Sequence, residues 1–338
     1  MKSTFTLTLA GALVASVIAQ LPILNPKWEA FPHPGVSVLS VGKDGVNGPG
    51  LNDMPLPSYT MTKRTNGLVP TPCVDIANNL NPEYDVLCPV TSVEVYDVLY
   101  SDCPIPKVIC RCGNSSSVHT PDVLAQRLGR VPLKGRQLVR VLMNTVPLEP
   151  QCGAWANGAD ININGSCYSE TQSAFLHEVG HLIDYRVGLD TSPYTQPWSG
   201  RAAFTDAIAT DNCVADWYAK QSYPEAFSEM AVITAWHLYR QHYKQLNPLI
   251  ENTVCLDNQF AVTIPILSEY YEPGQVGCTS AYDIPNTCVT PPCASLKTRE
   301  EQQAQYPGVV FEDAEKYIQA YTKSRGGNLT DVGLQFVA

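Results

Sequence analysis

Apolar positions in the segment 169–187 recur at the spacing of an α-helix with one buried face. The apolar stripe comprises Phe175, Val179, Leu182 and Ile183. Ser169 and Gln172 have the spacing of a capping box, and Gly188 has the position of a C′ glycine. The pattern therefore predicts a helix over residues 169–187.

A second helical pattern starts at Pro224, a residue type that suits the first turn of a helix. The letters EAFSEMAVITAWHLYR that follow keep helical spacing. Glu225 and Glu229 then lie one turn apart on the same face of this helix.

Strand patterns precede these helices. Residues 93–112 alternate β-branched and aromatic side chains and predict one or two strands, and residues 137–146 predict another. A helix capped by Thr120 or Ser117 lies between them. Residues 154–165 contain a further strand ahead of the first helix. The mixture of strands and helices predicts an α+β protein.

Residues 177–181 read His-Glu-Val-Gly-His, in the middle of the first predicted helix. His177 and His181 are four residues apart, so both imidazoles project from one face and can bind one Zn²⁺. Glu178 projects beside them, where it can accept a proton from metal-bound water. This is the HExxH arrangement of zinc metalloproteases. The alternative is a surface helix with unrelated His and Glu residues.

A catalytic zinc needs three protein ligands and one open position. Asp184 and Val187 stand where a metzincin motif requires Gly and His, and no glutamate follows the HExxH segment before Glu225. Elimination leaves Glu225 as the third ligand and Glu229 as a group that orients a ligand imidazole. The alternative is a pair of solvated glutamates at a helix start, where the macrodipole favours them. Asp184 either bonds to a ligand imidazole or its neighbour, or is an ordinary solvent-exposed carboxylate.

HEVGHLID, followed later by the pattern Y-x6-E-A-F-S-E, resembles the catalytic domain of the anthrax lethal factor family of zinc peptidases. The resemblance is confined to the region 150–245. It implies a zincin-like domain of the gluzincin type, with a small mixed sheet, an active-site helix and a later Glu-bearing helix. In such folds an edge strand often lies above the metal, and residues 154–163 are predicted either for that role or as an internal strand. A second, weaker resemblance is to fungal secreted proteins of the conidiation-specific type.

The resemblance also implies roles for individual residues. The implied zinc ligands are His177, His181 and Glu225. Glu178 is the implied general base, which takes a proton from zinc-activated water and delivers it to the leaving amine. Tyr218 is the implied hydrogen-bond donor to the oxyanion, and Tyr223 lies close enough along the chain to compete for that role. The implied reaction is hydrolysis of a protein or peptide substrate.

Residues 1–19 have the features of a secretory signal peptide: a single Lys, an apolar run, and small residues before Gln20. The apolar run is too short for a convincing membrane span, and no other apolar stretch is long enough to be one. The protein is therefore predicted to be secreted and to lack a membrane anchor.

Twelve cysteines in the mature region predict up to six disulfides in an oxidising compartment, with open connectivity. A metal site at Cys110-Arg-Cys112 is the alternative for that pair. Three sequons suit N-glycosylation if the host is eukaryotic. They are Asn114, Asn164 and Asn328. The formal charge is −10, and no basic cluster predicts nucleic acid or an anionic membrane as a partner.

The chain divides by composition. Residues 20–70 are rich in Pro, Gly and Asn and predict an extended arm or a pro-segment. Lys63-Arg64 is either a processing site or an ordinary exposed pair. Residues 71–245 form the predicted catalytic domain, and 246–338 a Cys-containing C-terminal extension with a helix near 312–323. The oligomeric state is open.

Two functional hypotheses come from different classes. The first is a secreted zinc-dependent endopeptidase. The second is a catalytically inactive secreted binding or effector protein that keeps the zincin fold. A third interpretation, a non-metal cell-wall or spore-surface protein, requires the His-Glu-Val-Gly-His segment to be accidental. The presence of Glu178, Tyr218 and Glu225 together favours the enzyme, because loss of function would usually erase one of them.

Overall fold

The computed structural model describes residues 29–30, 50–78, 88–113, 115–146, 152–190, 197–211, 213–216, 218–243, 254–293 and 298–324. The strands in this part are β1 (Glu29–Ala30), β2 (Tyr59–Lys63), β3 (Leu68–Pro70), β4 (Val93–Tyr100), β5 (Lys107–Cys112), β6 (Val141–Thr145), β7 (Gly153–Ala156), β8 (Ile161–Asn164), β9 (Cys213–Val214), β10 (Ser280–Tyr282), β11 (Asn286–Cys288) and β12 (Val310–Glu312). The α-helices are α1 (Thr71–Asn78), α2 (Pro121–Arg130), α3 (Leu133–Gln137), α4 (Gln172–Asp190), α5 (Ala202–Thr210), α6 (Tyr223–Tyr243), α7 (Asp257–Tyr271), α8 (Arg299–Gln305) and α9 (Glu315–Ser324).

The largest sheet has six strands in the order β2-β4-β5-β6-β8-β7. Strands β2, β4 and β5 pair antiparallel, whereas β6 lies parallel to both β5 and β8. Strand β7 returns antiparallel to β8 and forms one edge. The connection between the parallel strands β5 and β6 contains α2 and α3, as a crossover requires. The α+β class and the mixed sheet predicted from the sequence are confirmed.

Alternate residues of the central strands face two different cores. Along β5, Ile109 lies in the larger core, and Val108 and Cys110 lie in the smaller one. The larger core also contains apolar side chains of α4, α6 and α7, while the smaller core contains Ile76 of α1. Because both faces of the sheet are covered, its central strands carry apolar residues at successive positions.

The predicted strand segments are refined by the structure. The segment 93–112 forms two strands, β4 and β5. Within the segment 137–146 only Val141–Thr145 forms a strand, β6, because Gln137 still belongs to α3. Thr120, one of the two predicted caps, accepts a hydrogen bond from the Val123 N–H at the start of α2. The prediction of one strand over 154–163 was wrong, because the chain turns at Asn157 and Gly158 and forms the hairpin β7–β8. Of these two strands, only β7 lies at an edge of the sheet.

The N-terminal boundary predicted for the HExxH helix, α4, was wrong. Residues Cys167–Glu170 form a separate 3-10 helix, so Ser169 is not the cap, and α4 begins at Gln172. The Gln172 N–H donates instead to Oδ1 of Asn52, at 3.1 Å. A residue far earlier in the chain therefore satisfies an N–H that a helix leaves without an internal partner.

The predicted C-terminal boundary was also wrong, since α4 continues through Gly188 to Asp190. The Arg201 guanidinium donates to the carbonyl of Gly188 at 2.7 Å and so satisfies an acceptor in the last turn. Arg186 forms an ion pair with Asp190 one turn on, at 2.6 Å, and a second with Glu312 of the C-terminal extension, also at 2.6 Å. These contacts extend the helix past a glycine that would suit its end.

Parts of the predicted arm and extension pack onto the same core as the HExxH helix. Leu51 and Met54 are buried in the larger core, and β2 forms the second edge of the six-stranded sheet. From the extension, Leu267 and Tyr271 of α7 enter the larger core. The helix predicted near residues 312–323 is observed as α9.

The dibasic pair is engaged with the main sheet. Lys63 pairs with Glu94 at 2.5 Å, and Arg64 pairs with Asp97 at 2.7 Å. Cleavage after Arg64 would remove β2 and the Asn52 side chain that caps the HExxH helix.

The six predicted disulfides are present, and no cysteine is left over. They join Cys73–Cys110, Cys88–Cys112, Cys103–Cys278, Cys152–Cys167, Cys213–Cys255 and Cys288–Cys293. Cys110 and Cys112 are therefore both oxidised, and the alternative metal site at that pair was wrong. No helix in the described ranges combines the length and the apolar character needed to cross a bilayer. The segment 1–19, Asn114 and Asn328 lie outside the described residues.

Among the described residues, Arg136 is the largest of the fully buried side chains. Its guanidinium donates to the carbonyls of Gly129, at 2.7 Å, and Val131, at 3.3 Å, and pairs with Asp102 at 2.5 Å. The end of α2 and the turn before β5 are thereby joined through one charged group.

We expect Arg136→Met to lower the free energy of unfolding by about 3 kcal/mol, because it leaves Asp102 and two carbonyls without their donor. Chemical denaturation of the variant measures the loss. Lys134→Met, on the exposed side of the same helix, is the matched control and should change stability by no more than about 0.5 kcal/mol. Equal stability of the two variants would contradict the role of Arg136.

Candidate functional site

The predicted site residues meet where α4 and α6 contact each other. Gly180, inside the HExxH motif, lies at the contact. A Cβ built on it would be 2.9 Å from the Ala231 Cβ and 3.0 Å from the Ser228 Cα. The absence of a side chain at residue 180 therefore sets how closely the two helices approach.

The helix α6 starts as the sequence predicts, with Pro224 in its first turn. The Ser222 hydroxyl accepts a hydrogen bond from the Glu225 N–H at 3.3 Å, which is the contact of an N-cap with the third helical residue. This start places Glu225 in the first turn, facing the HExxH helix.

The three predicted metal ligands come together. The Nε2 atoms of His177 and His181 are 3.1 Å apart. One carboxylate oxygen of Glu225 lies 3.0 Å from the His177 Nε2 and 3.3 Å from the His181 Nε2. All three residues are buried, and among the described residues this is the group of histidines, cysteines and carboxylates whose ligand atoms converge closely enough to hold a metal ion.

Glu229 also lies where the sequence predicts. Its Oε1 is 2.9 Å from Nδ1 of His177, on the side of the ring opposite the three converging ligand atoms. A carboxylate at Nδ1 favours the tautomer with its proton on that atom, which leaves the Nε2 lone pair for a metal.

Charge at this centre favours a bound cation. Burial alone lowers the pKa of His177, but the carboxylates of Glu229 and Glu225 outweigh it and raise that pKa well above its usual value. Burial would raise the pKa of Glu225, yet the two histidines hold it well below its usual value. The group of buried carboxylates thus attracts positive charge, which a proton on His177 supplies and which a metal ion would also supply.

Glu178 is almost fully buried next to the ligands. Burial raises its pKa to about 8, with Glu225 and Glu229 adding to the rise and His177 opposing it. One of its carboxylate oxygens, Oε2, is buried and has no hydrogen-bond partner among the described residues. A carboxylate with these properties suits a group that takes up and releases a proton near neutral pH.

Tyr218 lies in the 3-10 helix Tyr218–Lys220, with its ring 5.8 Å from that of His177. Burial and the nearby carboxylates raise the pKa of Tyr218 far above its usual value, so the phenol keeps its proton and can donate it in a hydrogen bond. Tyr223, the competing residue, is half-buried and packs against the larger core. Tyr168, which the sequence analysis did not single out, is buried near Glu178, whose charge adds to burial in raising the pKa of that phenol.

Asp184 does not bond to an imidazole, and that prediction was wrong, as was the alternative of a solvent-exposed carboxylate. Its two carboxylate oxygens accept hydrogen bonds from the N–H and hydroxyl of Ser199, at 2.7 and 2.6 Å. Burial raises the pKa of Asp184 to about 7, and the bonds from Ser199 oppose the rise. The residue therefore anchors the segment that follows the HExxH helix.

The predicted glycosylation site at Asn164 is the last residue of β8 and is half-buried. Its side-chain oxygen accepts a hydrogen bond from the Thr145 hydroxyl at 2.6 Å.

Comparison with known proteins identifies one family. The family described as "Conidiation-specific protein Con-13" matches residues 36–320. The chain is 32% identical over 281 residues to "Conidiation-specific protein 13" of Neurospora crassa, an alignment that covers 81% of this chain and 74% of that protein. No solved structure matches the chain.

These matches correct one prediction. Assignment to the anthrax lethal factor family was wrong, since the family that matches most of the chain is the conidiation-specific one. The resemblance rested on short motifs around two helices, whereas the family match extends into both flanks of that region.

Gly180→Ala tests the close contact of the two helices. Alanine favours a helix by about 1 kcal/mol over glycine, but here its methyl group would meet the backbone of α6. We therefore expect a net destabilisation of about 1–3 kcal/mol in chemical denaturation.

Gly135→Ala is the matched comparison. The nearest atoms to a Cβ at Gly135 would be side-chain atoms of Tyr271 and Val179, at 3.1 and 3.2 Å, so the contacts are longer than at Gly180 and involve no backbone atom. The loss of stability should therefore be smaller than for Gly180→Ala, and the reverse order would contradict the role assigned to Gly180.

Proposed function

The chain belongs to the Con-13 family, and we propose that this member of it is a secreted zinc-dependent endopeptidase with a zincin-like fold. The observation that carries the proposal is the convergence of His177, His181 and Glu225 in one buried centre. Two helices far apart in sequence supply these ligands, and one of them carries the HExxH motif.

The residues present fit a zinc ion. Around a tetrahedral zinc with bonds of about 2.0–2.2 Å, ligand atoms are separated by about 3.3–3.6 Å. The three separations here are 3.0, 3.1 and 3.3 Å. The second oxygen of Glu225 is buried and lacks a hydrogen-bond partner among the described residues. Since buried charges are normally paired or bound to metals, this set of donors supports a cation site.

The donor types favour zinc in particular. Two imidazoles and one carboxylate form a common ligand set of catalytic zinc, in which a fourth position stays open. Calcium and magnesium prefer sets composed of oxygen ligands. The carboxylate of Glu229 at Nδ1 of His177 is the usual partner of a zinc-bound histidine.

The surrounding fold supports the zincin-like assignment. Strand β7 is an edge strand and supplies Ala154 and Ala156 to the core that contains the HExxH helix. An extended substrate can add to such an edge through main-chain hydrogen bonds.

In the proposed reaction each residue has one role. A zinc ion held by His177, His181 and Glu225 would lower the pKa of water to near 7 and would polarise a carbonyl group. The Glu178 carboxylate accepts the proton of the attacking water and later delivers it to the leaving amine. The Tyr218 hydroxyl donates a hydrogen bond to the oxyanion of the tetrahedral species. Glu229 holds His177 in the orientation that binding requires.

The covalent structure supports the proposed export. All twelve cysteines are in disulfides, which persist in oxidising compartments and are rare in the cytosol. The sequence of residues 1–19 supplies the corresponding signal. The proposed substrate is an extracellular protein or peptide, with neither nucleic acid nor a membrane as a partner.

We expect Glu178→Gln to keep its zinc and to lose activity by about 10²–10⁴-fold, because the amide can fill the site but cannot accept the proton. Zinc content by elemental analysis and cleavage of casein or a peptide library measure the two properties. Wild-type cleavage should also stop with a chelator and return with zinc.

The result also separates the proposal from the alternative. Zinc in both proteins with cleavage in neither would indicate the binding or effector protein of zincin fold. Full activity of Glu178→Gln would contradict the mechanism.

We expect Glu225→Ala to lose most of its zinc, because two imidazoles alone do not hold a catalytic ion. Glu229→Gln should retain zinc with an affinity lower by about 10–100-fold, since it acts through His177. Glu269→Ala, at an exposed position, is the control and should keep the wild-type metal content. Unchanged zinc in Glu225→Ala would remove that residue from the ligand set.

A further inference from the structure

In the described part of the chain, asparagine is followed by glycine at residues 66, 157 and 164. Such a pair can react with itself, because the glycine nitrogen can attack the side-chain carbonyl carbon of the asparagine. Glycine has no side chain that would block the approach. Whether the reaction occurs in a folded protein depends on the hydrogen bonds and the exposure of each pair, and these differ among the three.

Asn66 lies in the turn between β2 and β3, and its side chain is exposed to solvent. Its Oδ1 accepts a hydrogen bond from the Leu68 N–H at 3.2 Å, as in an Asx turn. The N–H of Gly67 makes no hydrogen bond among the described residues. The attacking nitrogen is therefore available, and water has access to the side chain.

The hydrogen bond from Leu68 also favours the reaction itself. Attack at Cγ of Asn66 places negative charge on Oδ1, and the Leu68 N–H already donates to that atom. A donor fixed at the position where charge develops stabilises the transition state, as in an oxyanion hole. The turn therefore holds a nucleophile, an electrophilic carbon and a hydrogen-bond donor within three successive residues.

The other two pairs are protected. Asn157 is 9% exposed, and its side-chain amide accepts from the Asp160 N–H at 2.9 Å and donates to the Asp160 carboxylate at 3.3 Å. At the third pair the nitrogen is engaged, because the Gly165 N–H donates to the carbonyl of Thr145 at 2.8 Å. The Asn164 side chain accepts from the hydroxyl of the same threonine. Reaction at either pair therefore requires local opening of the structure.

We propose that Asn66 is a site of spontaneous deamidation, which converts it to aspartate and isoaspartate in the folded protein. The Gly67 nitrogen loses its proton to solvent and bonds to Cγ of Asn66. The Cγ–Nδ2 bond breaks, and the nitrogen leaves as ammonia. One water then opens the resulting succinimide. Opening at Cγ gives aspartate, whereas opening at the main-chain carbonyl gives isoaspartate, in which the chain runs through Cγ.

The modification changes a contact between the predicted arm and the C-terminal extension. The Gly67 carbonyl accepts a hydrogen bond from the Val289 N–H at 3.0 Å, and a Cβ on Gly67 would lie only 2.1 Å from the Thr290 carbonyl oxygen. Directly after it, β3 pairs with β11. Isoaspartate inserts one methylene into the main chain before this closely packed residue, so the pairing should weaken. This effect does not depend on the proposed zinc centre or on peptidase activity.

Incubation of the folded wild-type protein in mildly alkaline buffer, followed by peptide mapping with mass spectrometry, measures the modification. Deamidation should be at least about tenfold faster at Asn66 than at Asn157 or Asn164, because those two react only through local opening. In the reduced and unfolded chain, the rates at Asn66 and Asn157 should become similar. The pair at residue 47 lies outside the described residues, and its peptide is scored separately.

Two variants test the consequence for stability. Asn66→Gln keeps the amide, but its longer side chain would have to close a larger ring, which forms more slowly. After the incubation, the midpoint of thermal unfolding should fall by about 2 °C or more in the wild type and stay constant in Asn66→Gln. Freshly prepared Asn66→Asp has the new charge without the added methylene, and it should unfold close to the fresh wild type.

Deamidation of the folded protein at Asn66 that is no faster than at Asn157 would overturn the proposed site. Equal loss of stability in the wild type and Asn66→Gln would overturn the proposed effect on the contact of β3 with β11. Fresh Asn66→Asp as unstable as the incubated wild type would assign the effect to charge and overturn the role of the added methylene. The rate comparison needs only the wild type, so it decides the site even if a variant fails to fold.

Discussion

The close contact between the HExxH helix and the Glu225 helix is the constraint on which the site depends. Glu225 reaches the two imidazoles only because Gly180 presents no side chain toward Ser228 and Ala231. The glycine lies inside the motif, between the two histidines, so the residue that permits the contact and the residues that use it share one helical turn. The packing of the two helices therefore requires a glycine at a position inside the HExxH motif.

The second constraint is electrostatic. Glu178, Glu225 and Glu229 are buried beside two histidines, and in the described part of the chain no lysine or arginine forms an ion pair with Glu178 or Glu225. Such a group is costly to desolvate unless positive charge enters it. The raised pKa of His177 shows that these carboxylates stabilise positive charge beside them. A divalent ion would supply more of that charge than one proton does.

The sequence was sufficient for the parts of the site that obey local rules. Helical periodicity and the four-residue spacing place His177 and His181 on one face, and Pro224 marks the start of the helix that carries Glu225. Predictions from local sequence were wrong where residues distant along the chain make the contacts instead. Ser169 has the chemistry of a cap, but the oxygen that accepts the first N–H belongs to Asn52, and no spacing along the chain reveals such a contact. Asp184 was misjudged for the same reason, because its partner Ser199 lies across an intervening segment.

The failures of local prediction share a structural cause, since the ends of the HExxH helix are stabilised by side chains from outside that helix. Asn52 caps its beginning, Arg201 satisfies a carbonyl in its last turn, and Glu312 pairs with Arg186 near its end. A helix that carries buried charged groups needs both ends satisfied, because fraying would admit water to the ligands. The flanking segments therefore contribute to the proposed metal centre without touching it, and the fold that brings the three candidate ligand atoms together includes the predicted arm and the C-terminal extension as well as the segment that carries the motif.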